Sequence, residues 1–282
     1  LQASLLSSEQ FSLLKNMKLK QLLKNKITKH EMDLIPSSFD VVGDIAIFND
    51  LPKELRKKEK VIAAALMSLH KNIKVVAKKT RKYSGKMRTA KIALLGGEKR
   101  KETIHKENGC SLKVDVEKCY FSPRLSTERL RIAKLIKKGE SVLVLFSGVA
   151  VYPCVIAKNA EPKEIYGIEI NKTAHKYGLE NVNINKIKNV NLYAGDVKKL
   201  LPTIKKKFDR IIMPLPQSAE QYLDDALKKL KQKGTVHLYL FSREENKELL
   251  KREYQKYFFS VKMNVCGHYS PGVYRICLDL KK

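Results

Sequence analysis

The chain has 282 residues, with 57 Lys and Arg against 29 Asp and Glu, a formal net charge of +28. Its 43% hydrophobic content builds real cores and excludes a disordered chain, and the longest apolar run, residues 61–69, is far too short to span a membrane. The first residues lack the charged start, apolar middle and small-residue cleavage site of a secretory signal, and five scattered cysteines without a C-x-x-C give neither a disulfide framework nor a zinc ribbon. The chain therefore reads as cytosolic, and a field this positive implies a polyanionic partner, nucleic acid first.

In chain order, residues 4–29 carry Leu13, Leu14, Met17, Leu19, Leu22 and Leu23 at helical spacing, and Pro36 breaks the pattern. Residues 41–48 read as a strand bent at Gly43, 59–69 as a helix and 73–77 as a strand. Asn108-Gly109 between 103–106 and 111–116 signals a hairpin, because that pair supplies the positive φ of a tight turn. The charge concentrates in residues 51–100, with 16 basic against 3 acidic side chains, whereas residues 1–50 are balanced. Within this block Lys78, Lys79, Arg81, Lys82 and Lys86 flank Tyr83-Ser84-Gly85, a composition suited to phosphate contacts with some base stacking, or to a merely solvated surface.

From Ser126 onward the rhythm alternates: helix 127–138, strand 141–146, a helix, strand 164–170, helix 173–185 and strand 190–194. Strand 210–213, helix 219–232, strand 235–241, helix 243–257 and strand 274–280 follow. Such alternation predicts an α/β fold with a mostly parallel, doubly wound sheet, preceded by a small α+β domain. The expected division is a helical segment 1–35, a small domain 36–116 and a larger domain 117–282.

Ligands of such sheets bind at the carboxyl ends of the strands. There the sequence offers Phe146-Ser147-Gly148-Val149-Ala150, then Glu169-Ile170-Asn171, then Gly195-Asp196-Val197, then Met213-Pro214-Leu215-Pro216. Gly148 permits close backbone approach, Glu169 stands at the spacing that receives ribose hydroxyls, and Asp196 can take an adenine amino group. Each acid is equally readable as a helix cap. A Gly turn, two acids and a Pro-rich loop in this order resemble a class I S-adenosylmethionine methyltransferase. No G-x-x-x-x-G-K-[ST] or G-x-G-x-x-G is present, which removes P-loop enzymes and makes nucleotide dehydrogenases a poor fit. The six histidines form no ligand pair at helical spacing, so no metal is expected.

The run Tyr120-Phe121-Ser122-Pro123-Arg124-Leu125-Ser126-Thr127-Glu128-Arg129 resembles the archaeal and eukaryotic tRNA (guanine-N1)-methyltransferases that modify guanosine 37, and their wyosine-pathway relatives. Phe39–Ile45, Arg88-Thr89, residues 105–109 and 269–274 extend the likeness across residues 36–280. The resemblance implies S-adenosylmethionine as cofactor, the tRNA anticodon loop as partner, and a monomer with a reduced extra N-terminal domain. It implies Glu128 as the base that removes the guanine N1 proton and Arg88 as the cation facing charge that develops on O6. Both have bland readings, a first-turn acid on the helix dipole and one more phosphate contact. Tyr120, Arg129, Phe146, Gly148, Val149, Glu169, Ile170, Asn171, Asp196, Val197, Pro214 and Pro216 match positions around the cofactor, with Arg129 pairing its methionine carboxylate. Arg124 joins the basic block as an RNA contact.

Two departures stand out. Pro214-Leu215-Pro216 replaces the family's Asn-Leu-Pro, and Ala150 replaces a second loop glycine. A loop without asparagine suits a larger tricyclic base, so methylation of a wyosine intermediate is a further expectation. The rivals are aminocarboxypropyl transfer from the same cofactor and a non-catalytic RNA-binding protein with a vestigial fold.

Overall fold

The structure, a computed structural model, describes residues 19–282. Leu13, Leu14 and Met17 of the expected first helix lie outside the described residues. The chain forms two compact units: residues up to His105 with Val114–Pro123, and Lys106–Lys113 with Arg124–Lys282. This division differs from boundaries at 35/36 and 116/117. Leu19, Leu23, Ile27 and Ile35 are buried in one core with Phe48, Ile62 and Leu66, so they belong to the first unit.

In the first unit, β1 (Asp40–Val42), β2 (Ile45–Phe48), β3 (Val75–Ser84) and β4 (Thr89–Gly97) form a sheet in that order. The bend expected at Gly43 is a tight antiparallel turn with φ +57°, where a Cβ would lie 2.2 Å from Thr103 Oγ1. Only glycine fits there. Asp44, next along, accepts from Arg100 Nη1 (2.9 Å) and Nη2 (2.5 Å) and from Thr103 Oγ1 (2.7 Å). The helix Glu59–Leu69 buries Ile62, Ala63, Ala65 and Leu66 on one face and supplies the crossover that parallel β2 and β3 require. The basic block lies on the β3–β4 ribbon. Its β4 half was not among the expected strands, because its alternation is interrupted by Leu94-Leu95 and ends in Gly96-Gly97.

The hairpin of β5 (Glu102–Glu107) and β6 (Cys110–Asp115) turns at Asn108 (φ +45°) and Gly109 (φ +77°), as the sequence predicts. The second unit then builds β7 (Ser141–Leu145), β8 (Glu164–Glu169), β9 (Val190–Ala194), β10 (Phe208–Met213), β11 (Leu230–Arg243), β12 (Ser260–Ser270) and β13 (Val273–Lys281). Their spatial order is β12-β13-β11-β10-β7-β8-β9, parallel throughout except for β13, which runs antiparallel to both neighbours. All five residues of β7 are buried, as expected of a central parallel strand covered on both faces. The strand order reverses beside β7, and a crevice at the carboxyl ends of β7 and β10 is the natural ligand site of such a sheet.

Two elements correct the sequence reading. The helix expected over 219–232 is a 3₁₀ turn, Ala219–Tyr222, and a short helix, Leu223–Lys228. Leu230 already pairs with Phe208, because burying that leucine outweighs the helix propensity of the lysines around it. The strand β12 is not readable in the sequence, since an edge strand with seven of its eleven residues exposed carries little alternation. Among the described residues no helix is long and apolar enough to cross a membrane.

Candidate active site

The loop after β7 holds three residues in the left-handed region: Phe146 (φ +57°), Gly148 (φ +58°) and Ala150 (φ +60°). That conformation explains why glycine is usual where Ala150 stands; an alanine there carries roughly 1–2 kcal/mol of strain. The loop is tied down by Ser147 N–H to Ile168 O (2.9 Å) and Gly148 N–H to Glu169 Oε2 (2.7 Å). Glu169 is buried at the end of β8, and its other oxygen accepts from Asn171 N–H (2.7 Å) while its carbonyl accepts from Gly195 N–H (2.8 Å). One residue thus joins the ends of β7, β8 and β9. Burial pushes its carboxyl upward, opposed by the backbone N–H groups of Asn171, Gly148 and Ile170.

Asn171 caps the helix Lys172–Ile184 through Thr173 N–H (3.0 Å) and Ala174 N–H (3.2 Å). Asp196 caps the short helix Val197–Leu200 through Lys198 N–H (3.0 Å). Both sites have the bland role that a strand-end polar residue often takes, and Asp196 stays half-exposed. Phe146, Ile170, Pro214 and Pro216 are half-buried around these ends, with Phe146 edge-on to Tyr222 at 5.0 Å, whereas Val149 and Val197 are buried.

Arg129 has a buried partner of its own. Its side chain is 2% exposed and forms a bidentate pair with Glu107, Nε to Oε1 at 2.6 Å and Nη2 to Oε2. Its guanidinium anchors the hairpin tip to the helix Ser126–Leu135, a structural role beside the cofactor contact that the resemblance implies. The neighbouring Glu128 is also buried: Oε1 accepts from Tyr239 Oη (2.6 Å) and Arg131 Nη2 (2.8 Å), and Oε2 from Arg131 Nε (2.7 Å).

In the first unit, Arg88 (φ +50°) closes the β3–β4 turn with its guanidinium over the Tyr120 ring at 5.2 Å. Tyr120 packs edge-on to Tyr83 at 4.8 Å, and Lys79 Nζ lies over Tyr83 at 4.5 Å, so cations and rings alternate. This stack gives Tyr120 partners other than a cofactor. Lys78 is neutralised by Glu59 at 2.5 Å, which weakens its candidacy as a phosphate contact; Arg81, Lys82, Lys86 and, in the second unit, Arg124 are exposed.

Residues that the sequence reading missed lie in two buried networks. The carboxamides of Asn181, on the helix Lys172–Ile184, and of Asn185, its C-cap, each accept a backbone N–H from β6 and donate to the carbonyl of the same residue. Lys113 pairs with Asn181 (2.7 and 3.0 Å) and Ser111 with Asn185 (2.9 and 2.7 Å), so two amides four apart in the chain imitate a strand edge. Asn181 Nδ2 also donates to Val149 O (2.9 Å), linking β6 to the loop after β7. The available signal is Asn181, an asparagine inside an otherwise apolar helix face, where its poor helix propensity asks for a reason.

The second network gathers His237, Cys277 and Asp279, whose ligand atoms lie within 4.8 Å of one another. Asp279 accepts from His237 Nδ1 (2.6 Å), Arg131 Nη1 (2.7 Å) and Asn264 Nδ2 (2.9 Å), and His237 Nε2 lies 2.8 Å from Arg210 Nη1. Arginine only donates, so Nε2 accepts and the proton sits on Nδ1, a neutral tautomer inferred from partners. Two guanidiniums beside the cluster oppose a metal cation. Burial lowers the His237 imidazole, with Asp279 working the other way; burial raises Asp279, but His237 and Arg131 outweigh it and hold the carboxyl below its ordinary range.

Residues 103–265 match the family described as the TRM5/TYW2 methyltransferase domain, and residues 19–100 match the TYW2 N-terminal domain. The chain belongs to the TRM5/TYW2 methyltransferase family. It is 39% identical over 257 residues to the tRNA (guanine(37)-N(1))-methyltransferase Trm5b of Pyrococcus abyssi, covering 88% of this chain and 75% of that protein. It is 33% identical to the tRNA 4-demethylwyosine(37)-methyltransferase Taw21 of Saccharolobus solfataricus, covering 86% and 92%. The structure described as the complex of aTrm5 and tRNALeu superposes with a TM-score of 0.81 at 30% identity, over 94% of this chain and 78% of that one.

This TRM5/TYW2 protein is an enzyme whose methyl donor is S-adenosylmethionine, as the sequence reading expected. The strand ends fit that cofactor: a buried carboxylate at β8 suits hydroxyl donors, Asp196 retains exposed surface for an amino donor, and Phe146, Ile170 and two prolines give apolar walls.

Proposed function

We propose that this chain methylates N1 of guanosine 37 in tRNA. The supporting observation is that Glu128, in the Ser-Pro-Arg-Leu run, is a carboxylate fixed by three donors in a water-poor site, in a chain alike over most of its length to Trm5b. A base is required because N1 carries a proton at neutral pH. Glu128 takes that proton, and the N1 lone pair receives the methyl. The bound cofactor supplies the methyl group as a sulfonium, and the pair of the breaking methyl–sulfur bond stays on sulfur. Positioned base catalysis of this kind contributes typically about 10²–10⁴-fold. Arg88, on the first unit, is assigned to the negative charge that develops on O6, where a fixed cation lowers the barrier. Exposed Arg81, Lys82, Lys86 and Arg124 are assigned to RNA phosphates.

A second substrate, the tricyclic wyosine intermediate at the same position, is favoured by Pro214 in place of asparagine and by the 33% identity to Taw21. The deciding experiment incubates the protein and cofactor with unmodified tRNA and, separately, with tRNA carrying the tricyclic base, followed by nucleoside mass analysis. A single methyl on guanosine 37 supports the reading, and a methyl on the second substrate extends it. An aminocarboxypropyl adduct, or no product, refutes it.

A further inference from the structure

The Glu128 carboxylate is held more elaborately than an ion pair needs. The fork of Arg131 fixes its plane through Nε and Nη2, and Tyr239 Oη at 2.6 Å fixes its rotation. Tyr239 is 1% exposed, and its oxygen accepts from the hydroxyl of Tyr152 at 2.9 Å, which commits the Tyr239 proton to Glu128. Arg131 is held in turn by Asp279 (2.7 and 3.2 Å), and Asp279 by His237 and Asn264. The chain of bonds ends on Arg210, whose guanidinium is clamped by Glu140 (2.9 and 3.1 Å) and the Leu135 carbonyl (2.8 Å). Besides Arg131, the ionisable groups facing Glu128 are Tyr239 on β11, Cys266 on β12, Cys277 and Asp279 on β13, and Tyr152 on the helix Val151–Asn159; Arg129 is adjacent in sequence.

We propose that Tyr239 and Arg131 are positioning residues for the reaction, setting the orientation and basicity of the Glu128 carboxylate through the buried row from Tyr152 to Asp279. This rests on Glu128 being the base. Two buried phenols in series, ending on one carboxylate oxygen, give that oxygen a strong donor without adding charge. Removing the donor leaves the fork intact but takes away a hydrogen bond that favours the charged carboxylate. A carboxylate offers about four acceptor positions, and these donors fill three, which leaves one for a guanine N–H.

The test is the pH dependence of single-turnover methylation of guanosine-37 tRNA by wild type, Tyr239→Phe, Arg131→Lys and Glu128→Gln, with melting curves and cofactor affinity measured alongside. Tyr239→Phe is expected to move the acidic limb up by about one pH unit, with tRNA affinity within twofold. Arg131→Lys keeps the charge but loses the fork, and the plateau rate is expected to fall roughly tenfold at unchanged cofactor affinity. Glu128→Gln should lose the rate at every pH. An unmoved limb in Tyr239→Phe, or an equal loss at every pH, overturns the positioning role while leaving the base assignment standing. If Glu128→Gln turns over like wild type, the base assignment falls and the positioning role with it. Should Tyr239→Phe fail to fold, Arg131→Lys decides: a full plateau rate refutes the proposal.

Discussion

The buried pair of Arg129 and Glu107 gives the sharpest test of how the second unit is held together. Each side chain is 2% exposed, so neither charge has water to fall back on. Glu107→Gln removes one charge and leaves the guanidinium buried opposite a neutral amide. With charges about 4 Å apart at an effective dielectric near 20, the lost attraction is roughly 4 kcal/mol, in line with the 3–5 kcal/mol usual for breaking a buried pair. At about 2–4 °C per kcal/mol for a domain of this size, the melting transition should drop by roughly 10 °C. Replacing both residues, Glu107→Leu with Arg129→Met, removes both desolvation costs together and should restore most of the loss. Urea unfolding followed by circular dichroism, closed as a double-mutant cycle, reads the coupling directly. Salt up to about 0.5 M should barely change it, because a dry pair is poorly screened. A Glu107→Gln cost below about 1 kcal/mol, or a double variant as damaged as the sum of the singles, would refute the account.

Further outcomes follow from the same structure. Stability should fall as pH drops below about 6.5, because the unfolded chain then protonates His237 while the buried imidazole, its affinity for protons lowered, does not. His237→Gln should flatten that slope, and denaturation between pH 5 and 7.5 measures it; Asp279, whose folded value is depressed, adds stability that is lost only as pH falls below about 4. Ala150→Gly trades left-handed strain for unfolded-state entropy and should leave stability unchanged or raise it by up to about 1 kcal/mol, while Ala150→Val should cost more than about 2 kcal/mol. Asn181→Asp sets a carboxylate against the Lys113 and Val149 carbonyls and should cost at least as much as Asn181→Ala, about 2–4 kcal/mol by thermal unfolding. Neutralising Arg81, Lys82 and Lys86 together should weaken tRNA binding and flatten its salt dependence, with a slope change of about 0.7–0.9 per lost phosphate contact.

Much of this was legible in the chain. Strand–helix alternation is a local pattern, and β7, whose five residues are all buried, announces itself as an apolar run. The strand-end residues Gly148, Glu169 and Asp196 follow from that register, since a strand's last residue and the turn after it fall at fixed offsets. Partners were not legible. Arg129 and Glu107 are 22 positions apart, and nothing in either residue's neighbourhood says that they meet. Tyr239 reads as one more aromatic in a strand, and its hydroxyl gains meaning only when Glu128, 111 positions away, is folded against it. The edge strand β12 was lost for a different reason: a strand exposed along most of its length does not alternate.

The path of the hairpin has a practical consequence for dissecting the molecule. The chain passes into the second unit at Lys106, returns to the first at Val114, and leaves it again after Pro123. A cut at 116/117, where composition invites one, would not liberate two self-sufficient pieces. The carboxyl-terminal fragment would leave behind the segment that satisfies Asn181, Asn185 and Arg129, stranding two amides and a guanidinium in its interior. Such a fragment should be insoluble alone and rescued by a synthetic peptide spanning residues 104–115. The two units are threaded through each other's sequence, so gene shuffling that swaps one for a homologous unit must carry those few residues with the half they fill, not with the half they follow.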